Sequence, residues 1–194
     1  MKAHETEKFE KYGSFFYLLL AGAGVGLPFL LSLCMCLSRG MVQLSAILAM
    51  TLVYAFVAWV AIISLLAYGN LTSIFMKRTA KEIDSLPYQF KSSFRSRSGI
   101  LYIDVADGMI GFISAYNPLK LQIFDAARID SAEALTSGGS FRFVFYVDGN
   151  KITMPTLITN RIVSAKSGIG AEAVSKANTF VELLLAAKRQ AEVK

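Results

Sequence analysis

The sequence predicts an α+β fold: an N-terminal transmembrane helical hairpin, then a small antiparallel β-barrel or β-sandwich closed by a C-terminal α-helix. Three observations predict it. Arg39 is the only charged residue between positions 13 and 76. From residue 99 onward, short runs rich in β-branched and aromatic residues are separated by Gly, Asp and Asn, as in strands joined by turns. Residues 171–192 then carry apolar residues at helical spacing.

Two uncharged apolar runs, 13–37 and 41–68, each exceed the roughly 20 residues that a helix needs to cross a bilayer. They must be helical, because lipid offers no partners for backbone N–H and C=O groups. Only three residues separate the runs, so the helices run antiparallel. A cleaved signal peptide is the alternative for the first run. Its apolar part, however, exceeds the usual core of about 7–15 residues, and the preceding tail is not distinctly positive.

The charge pattern divides the chain into a tail (1–12), the hairpin (13–69), a basic juxtamembrane segment (70–98) and a domain (99–194). The basic segment contains six cationic residues that we expect near lipid headgroups: Lys77, Arg78, Lys81, Lys91, Arg95 and Arg97. The positive-inside rule then predicts a multi-pass protein of a bacterial inner membrane, with both termini in the cytoplasm. An ordinary linker obeying the same rule is the alternative to specific lipid recognition.

The net charge of +6 is concentrated in this juxtamembrane segment. Residues 99–194 carry ten basic and nine acidic side chains, so the domain is nearly neutral. A nucleic acid would require a basic face on the domain, and we therefore expect no nucleic-acid partner. The lipid bilayer is the partner that the charge distribution favours.

Small residues in both apolar runs predict close helix packing. Gly22 and Gly26 lie four residues apart in the first run, and Thr51, Ala55 and Ala58 lie at helical spacing in the second. Packing within the hairpin is one interpretation, and contact between copies in a homo-oligomer is the other. Neither run contains an ionisable residue apart from its cysteines and tyrosines, which disfavours a transporter or channel built from this hairpin alone.

The residues needed for histidine- or cysteine-dependent catalysis and for thiolate–imidazole metal sites are missing from the domain. Its carboxylates are scattered along the sequence, and a hydrolytic carboxylate pair is the alternative that they leave open. His4 is the only histidine, and the two cysteines, Cys34 and Cys36, lie in the first apolar run. A histidine-assisted nucleophile or a thiolate–imidazole metal site therefore cannot form in the domain. There is no phosphate-binding glycine loop followed by lysine. We expect a protein that is not an enzyme and that binds no cofactor or metal.

The domain is predicted to contain about six strands and one helix. The strands are expected at 100–105, 109–113, 119–124, 129–135, 141–147 and 151–158. Turns are expected at 106–108 and 148–150. The C-terminal helix is expected at 171–192, with an apolar stripe formed by Val174, Ala177, Val181, Leu184 and Leu185, and with Phe180 and Leu183 beside it. Pro155 predicts that the last strand lies at a sheet edge.

This order of β-hairpins followed by one amphipathic helix resembles a pleckstrin-homology-like domain. The whole chain resembles small bacterial membrane proteins that carry such a domain after a helix pair. The resemblance implies that the helix plugs one open end of a barrel, with Phe180 where many eukaryotic members have tryptophan. The turn at 106–108, interpreted as the first of the domain, lacks the basic residues that grip phosphoinositides.

These features together predict a non-enzymatic membrane protein whose domain binds a protein partner. An adaptor, or a plasmid or phage exclusion or immunity protein, would fit. The region of Pro155 and the loop 136–140 are the candidate contacts, because exposed strand edges accept partner strands. One alternative is an anionic-lipid sensor acting through the basic segment. Another is an accessory subunit of a larger membrane complex that docks through Gly22 and Gly26.

Overall fold

A computed structural model describes residues 6–40, 43–67, 71–137, 140–157 and 163–194. The chain forms two compact units. One is the apolar segment Gly13–Ile74. The other joins the N-terminal tail, up to Tyr12, with Phe75–Lys194. The predicted α+β class is confirmed: two long apolar helices precede two antiparallel sheets and a C-terminal helix.

The first apolar helix consists of α1 (Ser14–Ala21) and α2 (Leu27–Ser38), which are joined without a break by a π-helical stretch, Gly22–Gly26. The second is α3 (Leu44–Ala67). Both are long and apolar enough to span a membrane, and most of their side chains are exposed rather than packed inside the protein. A helix of a water-soluble core would bury its apolar residues, so the exposure fits a lipid environment.

Pro28 explains the π-helical stretch. Proline has no amide hydrogen to donate to a carbonyl one turn earlier, so the regular hydrogen-bond pattern cannot continue through it. The Leu27 amide donates to the Gly22 carbonyl, five residues back, and the hydroxyl of Ser32 donates to the Pro28 carbonyl at 2.8 Å. The helix therefore passes the proline through a local change of winding.

The described residues of the domain form seven strands in two antiparallel sheets, one strand more than predicted. The first sheet has the order β1-β2-β3-β4 and the second β5-β6-β7. The strands are β1 (Ser92–Ser96), β2 (Gly99–Asp104), β3 (Met109–Ser114), β4 (Asn117–Asp125), β5 (Ile129–Ser137), β6 (Ser140–Val147) and β7 (Asn150–Leu157). Among the described residues the two sheets do not join by strand pairing, so a closed barrel is not observed.

The additional strand is β1, which lies in the segment predicted to be a membrane-proximal flank. Its sequence is serine-rich and basic, and Phe94 is its only apolar residue. Such a composition does not favour a strand by itself. Phe94 is nevertheless buried in the core, where its ring lies 4.8 Å from that of Phe180 and 5.2 Å from that of Phe143. The folded domain thus begins upstream of residue 99.

The predicted turns are present. Gly108 has a φ of +66° between β2 and β3. Asp148 and Gly149 both have positive φ, +49° and +73°, and connect the paired residues Val147 and Asn150. Two residues of positive φ make the type I′ turn that suits the twist of a hairpin. The domain begins with β1, which was not predicted. The turn at 106–108 is therefore the second turn of the domain rather than the first, and the first turn, between β1 and β2, contains Arg97.

The C-terminal helix is α5 (Gly168–Val193). The hydroxyl of Ser167 accepts a hydrogen bond from the Gly170 amide and caps its first turn. The side chains that α5 buries deepest are Ala173, Ala177, Phe180, Leu184 and Ala187. The predicted stripe was correct at Ala177 and Leu184, whereas Leu185 is 37% exposed. Small residues on the buried face allow α5 to lie close to the strands.

The juxtamembrane segment is part of the folded domain. It begins as α4 (Leu71–Ala80) and continues as a 3₁₀ helix, Lys81–Ser85, before Pro87. Met76 is buried against Ile100 and Ile113. The hydroxyl of Thr79 donates to the Pro118 carbonyl at 2.9 Å. From Phe75 onward the segment therefore belongs to the same unit as both sheets, rather than forming a free linker.

Candidate interaction surfaces of the domain

The N-terminal tail lies along the edge of the first sheet, next to β4. The Thr6 amide donates to the Ile123 carbonyl at 2.7 Å, and the Ile123 amide donates to the Thr6 hydroxyl at 3.2 Å. The Glu10 amide donates to Oε1 of Gln122 at 2.7 Å, while Nε2 of Gln122 donates back to the Glu10 carbonyl at 2.9 Å. The first two bonds satisfy the Ile123 backbone groups that an edge strand would otherwise expose, and the other two pair the Gln122 side-chain amide with the Glu10 backbone.

Phe9 anchors this tail in the core of the domain. Its side chain is 3% exposed, and its ring lies 5.7 Å from that of Phe124 and 5.9 Å from that of Phe112. The sequence prediction treated residues 1–12 as a charged tail and did not single out Phe9. In the sequence, Phe9 is a single aromatic residue between Lys8 and Glu10. A single residue has no periodicity, so the sequence could not show that Phe9 packs in a core formed by residues far along the chain.

Arg128 links the tail to the β6–β7 turn through hydrogen bonds. Its guanidinium donates to the Thr6 carbonyl and to both carboxylate oxygens of Asp148, with the Nε–Oδ1 distance at 3.2 Å. The hydrogen bond from Arg128 holds the pKa of Asp148 below its ordinary value of 3.8, and the Phe9 amide adds a weaker bond at 3.4 Å. Arg128 thus connects three segments that are distant in sequence: its own segment before β5, the N-terminal tail and the β6–β7 turn.

The buried carboxylate of Asp104 has a structural role. Its side chain is 2% exposed and accepts backbone hydrogen bonds from Gln89 at 2.9 Å, Ala106 at 3.1 Å and Asp107 at 3.2 Å. Three N–H donors satisfy a carboxylate well. Asp104 thereby fixes the β2–β3 turn and the segment that leads into β1.

A cavity of about 180 Å³ opens on the surface of the domain. Its lining comes from the tail, from the β1–β2 and β3–β4 turns with the strand ends beside them, and from β7. The residues that line it are Lys11, Ser98, Phe112, Ser114, Tyr116, Lys151, Ile152 and Thr153. Two lysines and several hydroxyl groups therefore surround this space, and none of the described residues that line it is acidic.

The aromatic ring of Tyr116, in the β3–β4 turn, lies 5.5 Å from the ring of Tyr12. Both side chains are exposed, by 50% and 59%. The Nζ of Lys11 lies 5.6 Å from the Tyr12 ring, in the range of a cation–π contact. Sequence reasoning did not find this group, because it forms only when the tail meets a turn about one hundred residues later.

The six cationic residues predicted for lipid headgroups are all largely exposed or half-exposed on the domain. The structure places Lys77 and Arg78 on α4, Lys81 on the 3₁₀ helix, Lys91 before β1, Arg95 within β1 and Arg97 in the following turn. Their environment is not uniformly basic. Burial raises the pKa of Tyr102, while nearby Arg95 lowers it and nearby Asp84 raises it. An acid thus lies in the same neighbourhood as Arg95.

The glycines predicted for helix packing do not form the contact between the two apolar helices. Gly22 and Gly26 are exposed, and an added Cβ atom at either would meet nothing within 4 Å. The close approach is at Gly24, where an added Cβ atom would lie 2.7 Å from Cε2 of Trp59. On α3, the predicted residues Thr51, Ala55 and Ala58 are half-buried.

No family model, curated protein or solved structure gives a significant match to this chain.

Proposed function

We propose that this chain is a non-enzymatic bacterial inner-membrane protein whose cytoplasmic domain binds a protein partner through a sheet edge. The observation that carries the proposal is the position of β5. It pairs with β6 on one side, and no described strand pairs with its other side. An unpaired edge presents backbone donors and acceptors to an incoming strand.

The character of β5 supports this choice over the other edge of the same sheet. β5 is nine residues long and contains no proline, so every residue along it carries an amide hydrogen. The opposite edge, β7, contains Pro155, which has no amide hydrogen to offer a partner. Of the predicted contacts, the Pro155 region is therefore the weaker candidate. The loop 136–140 lies partly outside the described residues.

The placement of both termini on one side of the membrane rests on the tail. Residues 6–12, before the first apolar helix, and Phe75–Lys194, after the second, belong to one compact unit. A folded unit cannot be divided by a bilayer. If both helices cross the membrane, the chain must enter and leave on the same side, and the positive-inside rule favours the cytoplasm.

The order of the elements supports a pleckstrin-homology-like fold for the domain. Two antiparallel sheets of four and three strands are followed by one helix, α5, which packs on β5 and β6. The ring of Phe180 in α5 lies 5.8 Å from that of Phe143 in the second sheet and 4.8 Å from that of Phe94 in the first, so the helix contacts both sheets. Because a fold does not define a function, the partner-binding proposal depends on the β5 edge.

Two other functions have a specific observation in their favour. Anionic-lipid sensing is supported by the exposure of the basic residues on α4 and β1, which are held by a folded domain. An accessory role in a larger complex is supported by the open space around Gly22 and Gly26, which leaves them available to a helix of another chain.

Site-specific crosslinking tests the partner-binding proposal in the full chain. A photo-crosslinking amino acid is placed at Ser131 or Glu133 on β5 and, as matched controls, at the exposed residues Lys166 and Thr179. In native membranes we expect a discrete adduct with another protein from the β5 positions only. A second variant, Ser131→Lys with the crosslinker at Glu133, should lose the adduct because a cation on an edge strand opposes strand addition. The same adducts from all four positions, or none from β5, would contradict the proposal.

A further inference from the structure

The cavity beside the tail has an unbalanced charge. Among the described residues, Lys11 and Lys151 both line it and no carboxylate does. The ion pairs of the described residues use other cations, including Lys120 with Glu10 and Lys194 with Asp107. In the described part of the chain neither lysine forms an ion pair with an acid, so an anion in this cavity would gain charge-assisted hydrogen bonds from ammonium groups that those acids do not engage.

Hydroxyl groups complete the lining. Ser98 and Thr153 add two hydroxyl-bearing side chains to this lining. Ser114 is already engaged, because its hydroxyl donates to the Lys11 carbonyl at 3.3 Å and accepts from the Tyr116 amide at 3.1 Å. Ser114 therefore fixes the tail and the turn that form two sides of the space. Ammonium and hydroxyl donors around one small volume are suited to a phosphate group.

Chain length limits how far this cavity can lie from the membrane surface. Lys11 is three residues before Ser14, where the first apolar helix begins. Three extended residues span at most about 10 Å. The headgroup layer on each side of the hydrocarbon core is roughly 5–8 Å thick. A cavity lined by Lys11 is thus within reach of lipid headgroups when α1 enters a bilayer.

The tyrosine pair provides a second, independent indication of a lipid surface. Tyr12 and Tyr116 are exposed although their rings lie 5.5 Å apart, and Tyr116 also lines the cavity. Tyrosine is enriched at membrane–water interfaces, because its ring suits the apolar side and its hydroxyl the aqueous side. The pair places such residues directly beside the two lysines.

We propose that the Lys11–Lys151 cavity binds the phosphate of an anionic lipid headgroup, with Tyr12 and Tyr116 at the headgroup layer. The site is distinct from the basic juxtamembrane segment, since none of the six cations of that segment lines the cavity. It requires that α1 enters a bilayer, and it does not depend on a protein partner. Its effect would be to hold the β3–β4 turn against the membrane.

The test uses the full chain in nanodiscs of phosphatidylcholine containing a minor fraction of phosphatidylglycerol. Native mass spectrometry of the released protein counts each lipid that remains bound. We expect preferential retention of phosphatidylglycerol by the wild type. Lys11→Gln and Lys151→Gln should each lower this preference about fivefold. Lys8→Gln is the matched control, because Lys8 belongs to the same tail and does not line the cavity.

Three results would overturn the proposal. One is an unchanged preference in the Lys11→Gln/Lys151→Gln variant. Another is a preference that depends on Lys77 and Arg78 instead. The third is lysine-dependent binding of inorganic phosphate in neutral detergent without any preference for phosphatidylglycerol, which would assign the site to a free anion. Circular dichroism checks folding. Since Lys151 is exposed, its single variant keeps the test valid if the double variant unfolds.

Discussion

The ring of Phe9 packs edge-to-face on the ring of Phe124, with centroids 5.7 Å apart and planes at 82°. Phe9 precedes both apolar helices and Phe124 follows them. The contact therefore joins two parts of the chain that the entire hydrophobic hairpin separates. It makes the N-terminal tail a structural part of the domain, and it has consequences for stability and for membrane topology.

Replacing Phe9 with alanine should destabilise the domain by about 3–5 kcal/mol, the usual cost of removing a buried phenylalanine. The side chain is 3% exposed, so its loss leaves a cavity between Phe112 and Phe124. Urea unfolding of the full chain in detergent, followed by circular dichroism, measures the change. The neighbouring variant Lys8→Ala should have almost no effect, because Lys8 is exposed. Equal stabilities of the two variants would show that Phe9 does not belong to the core.

The two termini should be found on the same side of the membrane. The tail and Phe75–Lys194 form one unit, so they cannot lie on opposite sides of a bilayer. Epitope tags at both ends are exposed to protease in intact spheroplasts and in inverted vesicles. We expect both tags to be protected in spheroplasts and both to be cleaved in inverted vesicles. Cleavage of only one tag in either preparation would be incompatible with this arrangement.

The close contact between the apolar helices predicts that an alanine substitution at Gly24 has a different effect from one at Gly22 or Gly26. Gly24→Ala places a methyl group against the Trp59 ring, whereas Gly22→Ala and Gly26→Ala place one in open space. Overpacking of this kind costs roughly 1–3 kcal/mol. Trp59 is the only tryptophan, so its fluorescence in detergent reports on this contact directly. A shift of the Trp59 emission in Gly24→Ala alone is expected, and identical spectra for all three variants would contradict the contact.

The Arg128–Asp148 pair predicts a small acid dependence of stability. Arg128 lowers the pKa of Asp148 in the folded state, so the stabilisation is present above the unfolded value of about 3.8 and is lost as the pH falls through the lower folded value. Its size should not exceed about 1 kcal/mol, because the two side chains are 24% and 34% exposed.

Asp148→Asn isolates this effect, since asparagine also tolerates the positive φ of this turn position. Thermal unfolding is measured from neutral pH to below pH 3.8. The variant should lose less stability than the wild type over the acid range. Glu133→Gln, which removes an exposed carboxyl group of β5, is the control. A wild-type acid response in Asp148→Asn would show that the pair does not contribute.

Most local structure was predictable, because it depends on neighbouring residues. The charge-free runs predicted the apolar helices, and Gly108, Asp148 and Gly149 predicted their turns through backbone preferences. The strand β1 was not predictable in this way. Its serines and arginines resemble a linker, and only pairing with β2 and burial of Phe94 make it a strand.

The sequence by itself determined the two apolar helices, the strand-rich domain and the C-terminal helix, because composition, periodicity and turn residues act over a few positions. The tertiary structure alone decided that Phe9 belongs to the core, that Gly24 rather than Gly22 or Gly26 meets Trp59, and that Lys11 and Lys151 share one cavity. These relationships join residues 35 to 140 positions apart. Their energies depend on distances in space, which local sequence patterns do not specify.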